Sequence, residues 1–344
     1  MERHVYIHLY EYFNVNNLLY AHQSGFRRYH GTETALIRII DQMLFDLDKN
    51  RVSGLVFIDH RKAFDMVDHE ILMAKLKAYG MSDGSVTWFQ SYLCDRQQFV
   101  SIGGHDSTRV NVFHGVPQGS ILGPLFFIIF INYLPLHIQS EDVELDLYAD
   151  DTTLSYSTDI HTIDKVQDTL NCALRDVEDW ANSNKLPLNK SKSKSLLITE
   201  KRLKKKISSE DQLSLITSNG ELLEQVDSAR LLGVDFDCEL SFKKHVDRLC
   251  LKLSQRIGVL NKIKSCLPPK QRILYYNAMV KPVFSYVNVV WQKLCSKDCL
   301  VRILRLQKGA ARIILDADSR ASSVHLFNRL RWLPFYNETM IAHC

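Results

Sequence analysis

Three aspartates have the residue type and the placement to carry out metal-dependent chemistry. Asp59 ends the apolar segment GLVFID (54–59), and Asp150 and Asp151 lie within ELDLYADDTTLSYS (144–157). The second segment alternates between apolar and polar residues on either side of the acidic pair, which predicts a β-hairpin with the pair in or beside its turn. An isolated Asp pair in a turn is commonly just solvated, because Asp is a favoured turn residue.

The interpretation changes if the strand that ends at Asp59 lies beside this hairpin. Three carboxylates would then share one edge of a sheet, where their negative charges repel strongly at low effective dielectric. Hard oxygen ligands suit Mg²⁺, which retains waters and binds substrate phosphates. Two such ions can activate an attacking oxygen and stabilise the leaving one in phosphoryl transfer. We therefore expect Asp59, Asp150 and Asp151 to bind two Mg²⁺ ions, for which Mn²⁺ can substitute.

The elements that must position these carboxylates follow from hydrophobic patterning. GLVFID is apolar on both faces, as expected of a central strand covered on both sides. Helical periodicity predicts further elements at 4–21, 69–79 and 162–182. Strands are predicted at 96–104 and 107–113, a buried helix in the apolar run 121–131, and a strand pair at 213–217 and 229–237. Strands and helices interleave without strict βαβ alternation, which indicates the α+β class.

Composition and charge narrow the class of partner. The chain has 344 residues, 46% of them hydrophobic and 24% charged, as in ordinary globular proteins of about two domains. Its longest uncharged apolar run (121–131) is shorter than the roughly 20 residues that cross a bilayer, so we expect no membrane partner. Residues 1–160 carry 12 basic and 20 acidic side chains, whereas residues 161–344 carry 31 basic and 19 acidic ones. The excess of basic side chains in residues 161–344 favours a nucleic-acid partner.

Several segments occur in the order of the reverse transcriptase motifs: FIDHRKAFDMVDH (57–69), GVPQGSILGP (115–124), YADD (148–151), NKSKSK (189–194) and RLLGVDF (230–236). Together with QSGFRRYHGTETAL (23–36), HVDRLCLKLSQRIGVL (245–260) and YVNVVW (286–291), they resemble the polymerase of non-LTR, LINE-type retrotransposons of the jockey or chicken-repeat sort. Any one motif is weak, but their order and spacing make the resemblance specific, and it covers nearly the whole chain.

The resemblance implies a role for each residue that matches a family motif. Asp59, Asp150 and Asp151 match the metal-binding catalytic carboxylates. Lys192 aligns with the lysine that protonates the leaving pyrophosphate, although Lys190 and Lys194 stand nearby and leave the register open.

The remaining matched residues would bind substrates. Phe64 matches the aromatic that excludes a ribose 2′-OH, the group that distinguishes RNA from DNA precursors. Gln118 and Gly119 match the loop that packs against the incoming nucleotide, and Arg27 matches the arginine that grips its triphosphate. The pair Leu232–Gly233 matches the hairpin that supports the primer terminus.

The implied fold is a right hand. Its parts would be partial fingers at 1–53, a palm at 54–240 with a fingers insertion near 95–120 and the primer-supporting hairpin near 230–236, and a basic helical thumb with the start of a C-terminal region at 241–344. The implied activity is RNA-directed DNA polymerisation, Mg²⁺-dependent transfer of deoxynucleotides to a primer 3′-OH as in target-primed reverse transcription. The partners would be template RNA, a DNA primer and deoxynucleoside triphosphates, in a ribonucleoprotein of the nucleus and cytoplasm.

Two other interpretations remain open at this point. Members of the family carry an endonuclease domain before the polymerase and often a longer start to the fingers, so we expect the chain to be truncated at both ends. A truncated chain could be a catalytically inactive, nucleic-acid-binding remnant, and an intron maturase-like enzyme is a further alternative. The chain also has His60 where the family usually has Leu and Tyr148 where Phe is more common, but neither departure replaces a carboxylate.

Overall fold

The computed structural model describes residues 1–140, 142–204 and 213–337, which fall into two compact units divided between Val226 and Asp227. The helices of the first unit are α1 Glu2–Val15, α2 Thr32–Asp48, α3 His69–Ala78, α4 Asp83–Leu93, α5 Leu122–Ile131, α6 Asp164–Ser183 and α7 Lys201–Lys204. Its strands are β1 Arg51–Ile58, β2 Arg96–Gln98, β3 Ser101–Ile102, β4 His105–Asp106, β5 Val110–Val112, β6 Glu144–Tyr148, β7 Asp151–Asp159, β8 Lys194–Ile198 and β9 Glu224–Gln225. Short 3₁₀ turns occur at Ala63–Asp65, Leu134–Leu136 and Ile160–Thr162.

In the part of the chain that is described, no helix is both long and apolar enough to span a bilayer.

A five-stranded sheet forms the centre of the first unit, with strand order β6-β7-β1-β8-β9. Strands β6, β7, β1 and β8 pair antiparallel in turn, and β9 joins β8 in parallel. β1 therefore occupies the central position expected from its continuous apolar run.

Helices cover both faces of β1. Ser53 donates its hydroxyl to Asp46 of α2 at 3.2 Å. At the next position, a Cβ on Gly54 would lie 2.4 Å from Val166 and 2.7 Å from Leu170 of α6. Successive strand residues point to opposite faces, so α2 packs on one face and α6 on the other. The close approach of α6 requires Gly at position 54.

The apolar run 121–131 forms a helix at the core of this unit, as the sequence predicts. Every residue of α5 except Pro124 is buried. Its N-terminus is capped from α1, where the Glu2 carboxylate accepts hydrogen bonds from the backbone N–H of Ile121 (2.9 Å) and Leu122 (3.0 Å). A negative charge at this end also complements the helix dipole.

Several predicted elements are wrong in extent or type. The strand predicted at 96–104 is interrupted between Gln98 and Ser101, and the one predicted at 107–113 is shortened to Val110–Val112. The segment 229–237 is not one strand, because it folds back on itself as a hairpin. The helix predicted at 4–21 ends at Val15, because Asn16 caps it and Asn17 adopts a left-handed φ of 51°. Residues 213–217 form no strand, only an isolated bridge between Ile216 and Leu222. Side chains of α6 take up their backbone N–H groups instead: Gln167 accepts from Ser214 and Asn171 from Ile216, both at 2.8 Å.

The second unit combines a β-hairpin with helices. Its elements are β10 Ser228–Leu231, β11 Val234–Asp237, α8 Lys243–Ile263, α9 Pro269–Tyr275, a π-helical turn Tyr276–Val280, α10 Lys281–Ser285, α11 Asn288–Trp291, α12 Lys297–Leu315 and α13 Ser323–Leu330, with a 3₁₀ turn at Lys264–Cys266. The Asp237 carboxylate accepts from the backbone N–H of Ser241 (2.9 Å) and Phe242 (2.7 Å). These bonds tie the hairpin to the start of α8, so it groups with the helices rather than with the sheet.

Candidate active site

The sheet register brings the three aspartates to one end of neighbouring strands. Ile58 of β1 pairs with Thr152 of β7, so Asp59 follows its strand where Asp151 begins the adjacent one. Tyr148 of β6 pairs with Asp151, which leaves Asp150 in the connecting turn. The hairpin predicted at 144–157 is thus confirmed, and the structure groups all three carboxylates at one edge.

The carboxylates are close enough to perturb one another. Protein packed around the Asp151 carboxyl removes part of its hydration although the residue still contacts solvent, and this desolvation, with the charges of Asp150 and Asp59, raises its pKa to about 6. Burial and the charge of Asp59 also raise the pKa of Asp150. Among the described residues, no Lys or Arg forms an ion pair with any of the three. The cluster therefore holds repelling negative charge without a protein cation to balance it.

This donor set fits a hard divalent cation. Carboxylate oxygens are the ligands that Mg²⁺ and Mn²⁺ take in proteins. A bound cation would offset both the desolvation and the repulsion that raise the pKa of Asp151. In residues 1–140, 142–204 and 213–337, no three His, Cys, Asp or Glu side chains are placed so that they could hold a metal ion as they stand. Binding of an ion by Asp59, Asp150 and Asp151 would therefore require a change in their side-chain positions.

The turn that carries Asp150 has an unusual backbone. Ala149 adopts a left-handed φ of 57°, which is disfavoured for residues other than Gly, Asn and Asp. The buried Gln23 side chain accepts a hydrogen bond from the Ala149 N–H at 2.9 Å and donates one to the Ala149 carbonyl at 3.4 Å. A segment distant in sequence therefore stabilises the conformation of the acidic turn.

The backbone of Asp59 is fixed by the turn before β8. Its N–H donates to the Ser193 hydroxyl at 3.1 Å, and its carbonyl accepts from the Asn189 N–H at 2.7 Å. His60, the next residue, is buried, which lowers its pKa to about 4, and its Nε2 lies 3.4 Å from the Thr152 hydroxyl. The residue at this atypical position is thus a neutral core histidine.

The same turn and the first residue of β8 carry the three candidate lysines. Lys190 forms ion pairs with Glu178 (3.3 Å) and Glu221 (3.7 Å), and Lys194 pairs with Glu224. The side chain of Lys192 is exposed and forms no ion pair among the described residues. Of the three, only Lys192 keeps its ammonium group available for a substrate.

Phe64 lies on the 3₁₀ turn that follows β1. Its half-buried ring stacks on Phe127 with centroids 4.4 Å apart and meets the edge of Phe26 at 5.9 Å. Its carbonyl accepts from the Val116 N–H at 2.8 Å. The aromatic ring is therefore held between the core helix α5 and the loop that begins at residue 115.

The loop with Gln118 and Gly119 packs on this turn. Gln118 donates to the Asp65 carboxylate at 2.8 Å, and both loop residues are exposed. Gly115 has a φ of 87°, and a Cβ there would lie 2.7 Å from the backbone of Asp65. The loop thus places Gln118 and Gly119 on the same side of the unit as Phe64, with Gly115 permitting the approach.

Arg27 is engaged within its own loop. Its guanidinium donates to the backbone carbonyls of Tyr20 (2.8 Å), Gln23 (3.2 Å) and Ala21 (3.4 Å). All three bonds come from Nη1, so binding a triphosphate through this nitrogen would require exchanging them for phosphate oxygens. The structure therefore shows a loop-bracing arginine at the position assigned to nucleotide binding.

The hairpin turn at Leu232–Gly233 belongs to the second unit. Both residues have positive φ, 45° and 86°, as in a two-residue type I′ turn. The Tyr286 hydroxyl donates to the Leu232 carbonyl at 2.8 Å, and a Cβ on Gly233 would lie 3.2 Å from the Tyr286 ring.

Comparison with known proteins assigns the family. The sequence model of the reverse transcriptase (RNA-dependent DNA polymerase) family matches residues 2–236. The chain belongs to this family. The resemblance and the α+β class inferred from the sequence are thereby confirmed, and reverse transcriptases as a family use divalent metal ions.

The curated relatives are polymerases of Drosophila mobile elements. The probable RNA-directed DNA polymerase from transposon X-element of Drosophila melanogaster is 28% identical over 98% of this chain and 36% of the relative. The RNA-directed DNA polymerase from mobile element jockey of the same species is 27% identical over 92% and 34%. The chain thus spans about a third of the length of these relatives.

Among solved structures, the chain is similar to telomerase from Candida tropicalis in complex with a TWJ fragment of telomeric RNA. The alignment covers 96% of this chain and 56% of the telomerase chain, with 13% sequence identity and a TM-score of 0.47.

Proposed function

We propose that this chain is an RNA-directed DNA polymerase that transfers deoxynucleotides to a primer 3′-OH in the presence of Mg²⁺. The observation that carries the proposal is the convergence of Asp59, Asp150 and Asp151 at one sheet edge, where desolvation and mutual repulsion raise the pKa of Asp151 to about 6. Membership of the reverse transcriptase family supports it, as do the names of the curated relatives.

The three carboxylates would hold two Mg²⁺ ions. When bound, these ions supply the activation of the primer hydroxyl and the neutralisation of charge on the phosphates. The chain's own contribution is a set of oxygen ligands on rigid backbone: Asp59 is fixed by Asn189 and Ser193, and Asp150 follows the braced residue Ala149. Rigid supports of this kind preorganise a site before its ligands arrive.

Four further residues would handle the nucleotide. Phe64, held between Phe127 and the loop at 115, presents an aromatic wall that a 2′-OH would meet, and Gln118 lies beside it. Lys192 is exposed and uses its ammonium group to protonate the pyrophosphate as it leaves. Arg27 reaches the triphosphate after releasing the carbonyls of its own loop.

The second unit supplies a surface for a nucleic-acid duplex. Helix α8 buries an apolar stripe and exposes Lys243, Lys244, Lys252 and Lys262. Its acidic residue Asp247 is paired with Arg302 at 2.6 Å, so the exposed face is basic. We propose that this face neutralises phosphates of the template RNA and DNA primer, which makes binding salt-dependent and largely independent of sequence.

Primer extension on poly(rA)–oligo(dT) with dTTP tests the proposal. Asp159 lies in β7 like Asp151 but at the opposite end of the strand, where it caps the N–H of His161. Wild type and Asp159→Asn are expected to extend the primer, and Asp151→Asn to lose roughly a hundredfold or more of the rate. Salt-dependent binding without incorporation at any Mg²⁺ or Mn²⁺ concentration would contradict the proposal and indicate a nucleic-acid-binding remnant.

A further inference from the structure

The Gln23 side chain contacts the catalytic turn with both ends of its amide. It is 1% exposed, and its Oε1 accepts from the N–H groups of Ala149 (2.9 Å) and Gly25 (2.8 Å). Its Nε2 donates to the Ala149 carbonyl at 3.4 Å. The Gln23 side chain therefore forms hydrogen bonds with both peptide groups that flank Ala149, the residue directly before Asp150 and Asp151.

These hydrogen bonds are made to a residue whose backbone conformation is energetically disfavoured. A left-handed conformation is disfavoured for Ala, and the φ of 57° at Ala149 sets the direction in which the chain leaves toward Asp150 and Asp151. If Ala149 relaxed to an ordinary conformation, the two carboxylates would turn away from Asp59. Such a relaxation would move the N–H and the carbonyl of Ala149, and these are the groups that Gln23 holds by hydrogen bonds.

The segment around Gln23 is held against the same hairpin by its backbone. Leu147 donates its N–H to His22 at 3.0 Å and accepts from Ser24 at 2.8 Å, so this segment extends the sheet beyond β6. A Cβ on Gly25 would lie 2.2 Å from the backbone nitrogen of Ala149. Backbone atoms cannot yield as a flexible side chain can, so the contact requires Gly at this position.

We propose that Gln23 is a positioning residue for the metal site: it holds Ala149 so that Asp150 and Asp151 converge on Asp59. The inference rests on the proposed function, because it assigns to Gln23 the support of that same site. Residues that orient metal ligands without touching the metal characteristically change metal affinity or activity by roughly 10–100-fold when they are replaced.

A matched pair of variants separates positioning from general stability. Gln23→Met keeps the length of the side chain and removes all of its hydrogen bonds. Gln307 offers the control, because it is 2% exposed and likewise joins two backbone groups, the Leu333 carbonyl and the Phe335 N–H, both at 3.0 Å. Both replacements remove a buried amide whose oxygen and nitrogen each form hydrogen bonds, but only Gln23 contacts the catalytic turn.

The measurements are Mn²⁺ binding by electron paramagnetic resonance and hydrogen exchange of the 148–151 peptide. We expect Gln23→Met to weaken Mn²⁺ binding by roughly 10–100-fold and to speed exchange at Ala149, whereas Gln307→Met leaves both unchanged. Gln23→Glu keeps an acceptor for the N–H groups of Ala149 and Gly25, but its second oxygen replaces the donor to the Ala149 carbonyl. We therefore expect its exchange protection and Mn²⁺ affinity to lie between those of the wild type and of Gln23→Met.

The outcomes distinguish this inference from the proposed function. Wild-type Mn²⁺ affinity and exchange in Gln23→Met would overturn the positioning role even if the wild type extends primers. A wild type that binds Mn²⁺ in a Gln23-dependent manner but never incorporates nucleotides would overturn the polymerase function and leave the positioning role supported. If Gln23→Met fails to fold, Gln23→Glu decides alone, and wild-type Mn²⁺ affinity and exchange in that folded variant would overturn the inference.

Discussion

Replacing Asp151 by Asn removes one negative charge from the carboxylate cluster, and we expect it to stabilise the first unit in the absence of metal. The pKa of Asp151 rises from an ordinary 3.8 to about 6 in the folded chain. Each pKa unit corresponds to about 1.4 kcal/mol, so the full shift would be worth about 3 kcal/mol. Because the side chain is solvent-exposed and its charge is screened, we expect a gain of about 1 kcal/mol.

The sign of this effect depends on pH in a defined window. A raised carboxyl pKa means that the folded state binds the proton more tightly than the unfolded state does, so ionisation costs stability. The cost is fully present above the folded pKa of about 6, and it disappears as the pH falls toward 3.8. The stabilisation by Asp151→Asn should therefore be largest near neutral pH and vanish near pH 4.

Thermal unfolding with a chelator at about pH 7.5 and about pH 4 measures this difference. For a unit of this size, 1 kcal/mol corresponds to an increase in Tm of about 2–4 °C. Added Mg²⁺ is expected to raise the Tm of the wild type more than that of Asp151→Asn, because a ligand stabilises the state that binds it. An unchanged or lower Tm for Asp151→Asn at pH 7.5, or an equal gain from Asp159→Asn, would show that the charge of Asp151 does not destabilise the folded unit.

Four further substitutions test individual side chains. Phe64→Val is expected to raise ribonucleotide incorporation by roughly tenfold or more, and unchanged discrimination would count against the steric role. Lys192→Ala is expected to slow single-turnover incorporation roughly a hundredfold at constant Tm. Lys190→Ala leaves the buried Glu178 without its ion-pair partner, so we expect it to lower Tm by several degrees. The reverse pattern would assign the catalytic role to Lys190 instead of Lys192. Gly115→Ala is expected to cost more than about 1 kcal/mol of unfolding free energy, because its φ of 87° and the nearby Asp65 backbone exclude a Cβ; a wild-type urea midpoint would contradict this.

The sequence predicted the parts of the site that local patterns encode. An uninterrupted apolar run placed Asp59 at the end of a central strand, and period-two alternation placed Asp150 and Asp151 at a hairpin turn. Both patterns depend only on neighbouring residues and on the faces that they bury. The pairing of β1 with β7, which joins the two features, is a long-range contact that neither pattern contains.

The missed features depend on partners that are distant in the sequence. Gln23 looks like a solvated loop residue until Ala149, 126 positions later, packs against it. The choice among the lysines of the NKSKSK segment depends on Glu178 and Glu221, which belong to other segments. Residues 213–217 have a strand-like composition, yet Gln167 and Asn171 of α6 take up their N–H groups. In each case a tertiary hydrogen bond or ion pair overrides the local pattern.

The proposed function depends most directly on whether Asp59, Asp150 and Asp151 share a metal ion. Crystals grown with MnCl₂, measured near the manganese absorption edge, would locate the ion by its anomalous scattering. The account predicts a peak within coordination distance of an oxygen from each of the three carboxylates, and no such peak in Asp151→Asn. A peak that touches none of them, or none at this sheet edge in a crystal saturated with Mn²⁺, would contradict it.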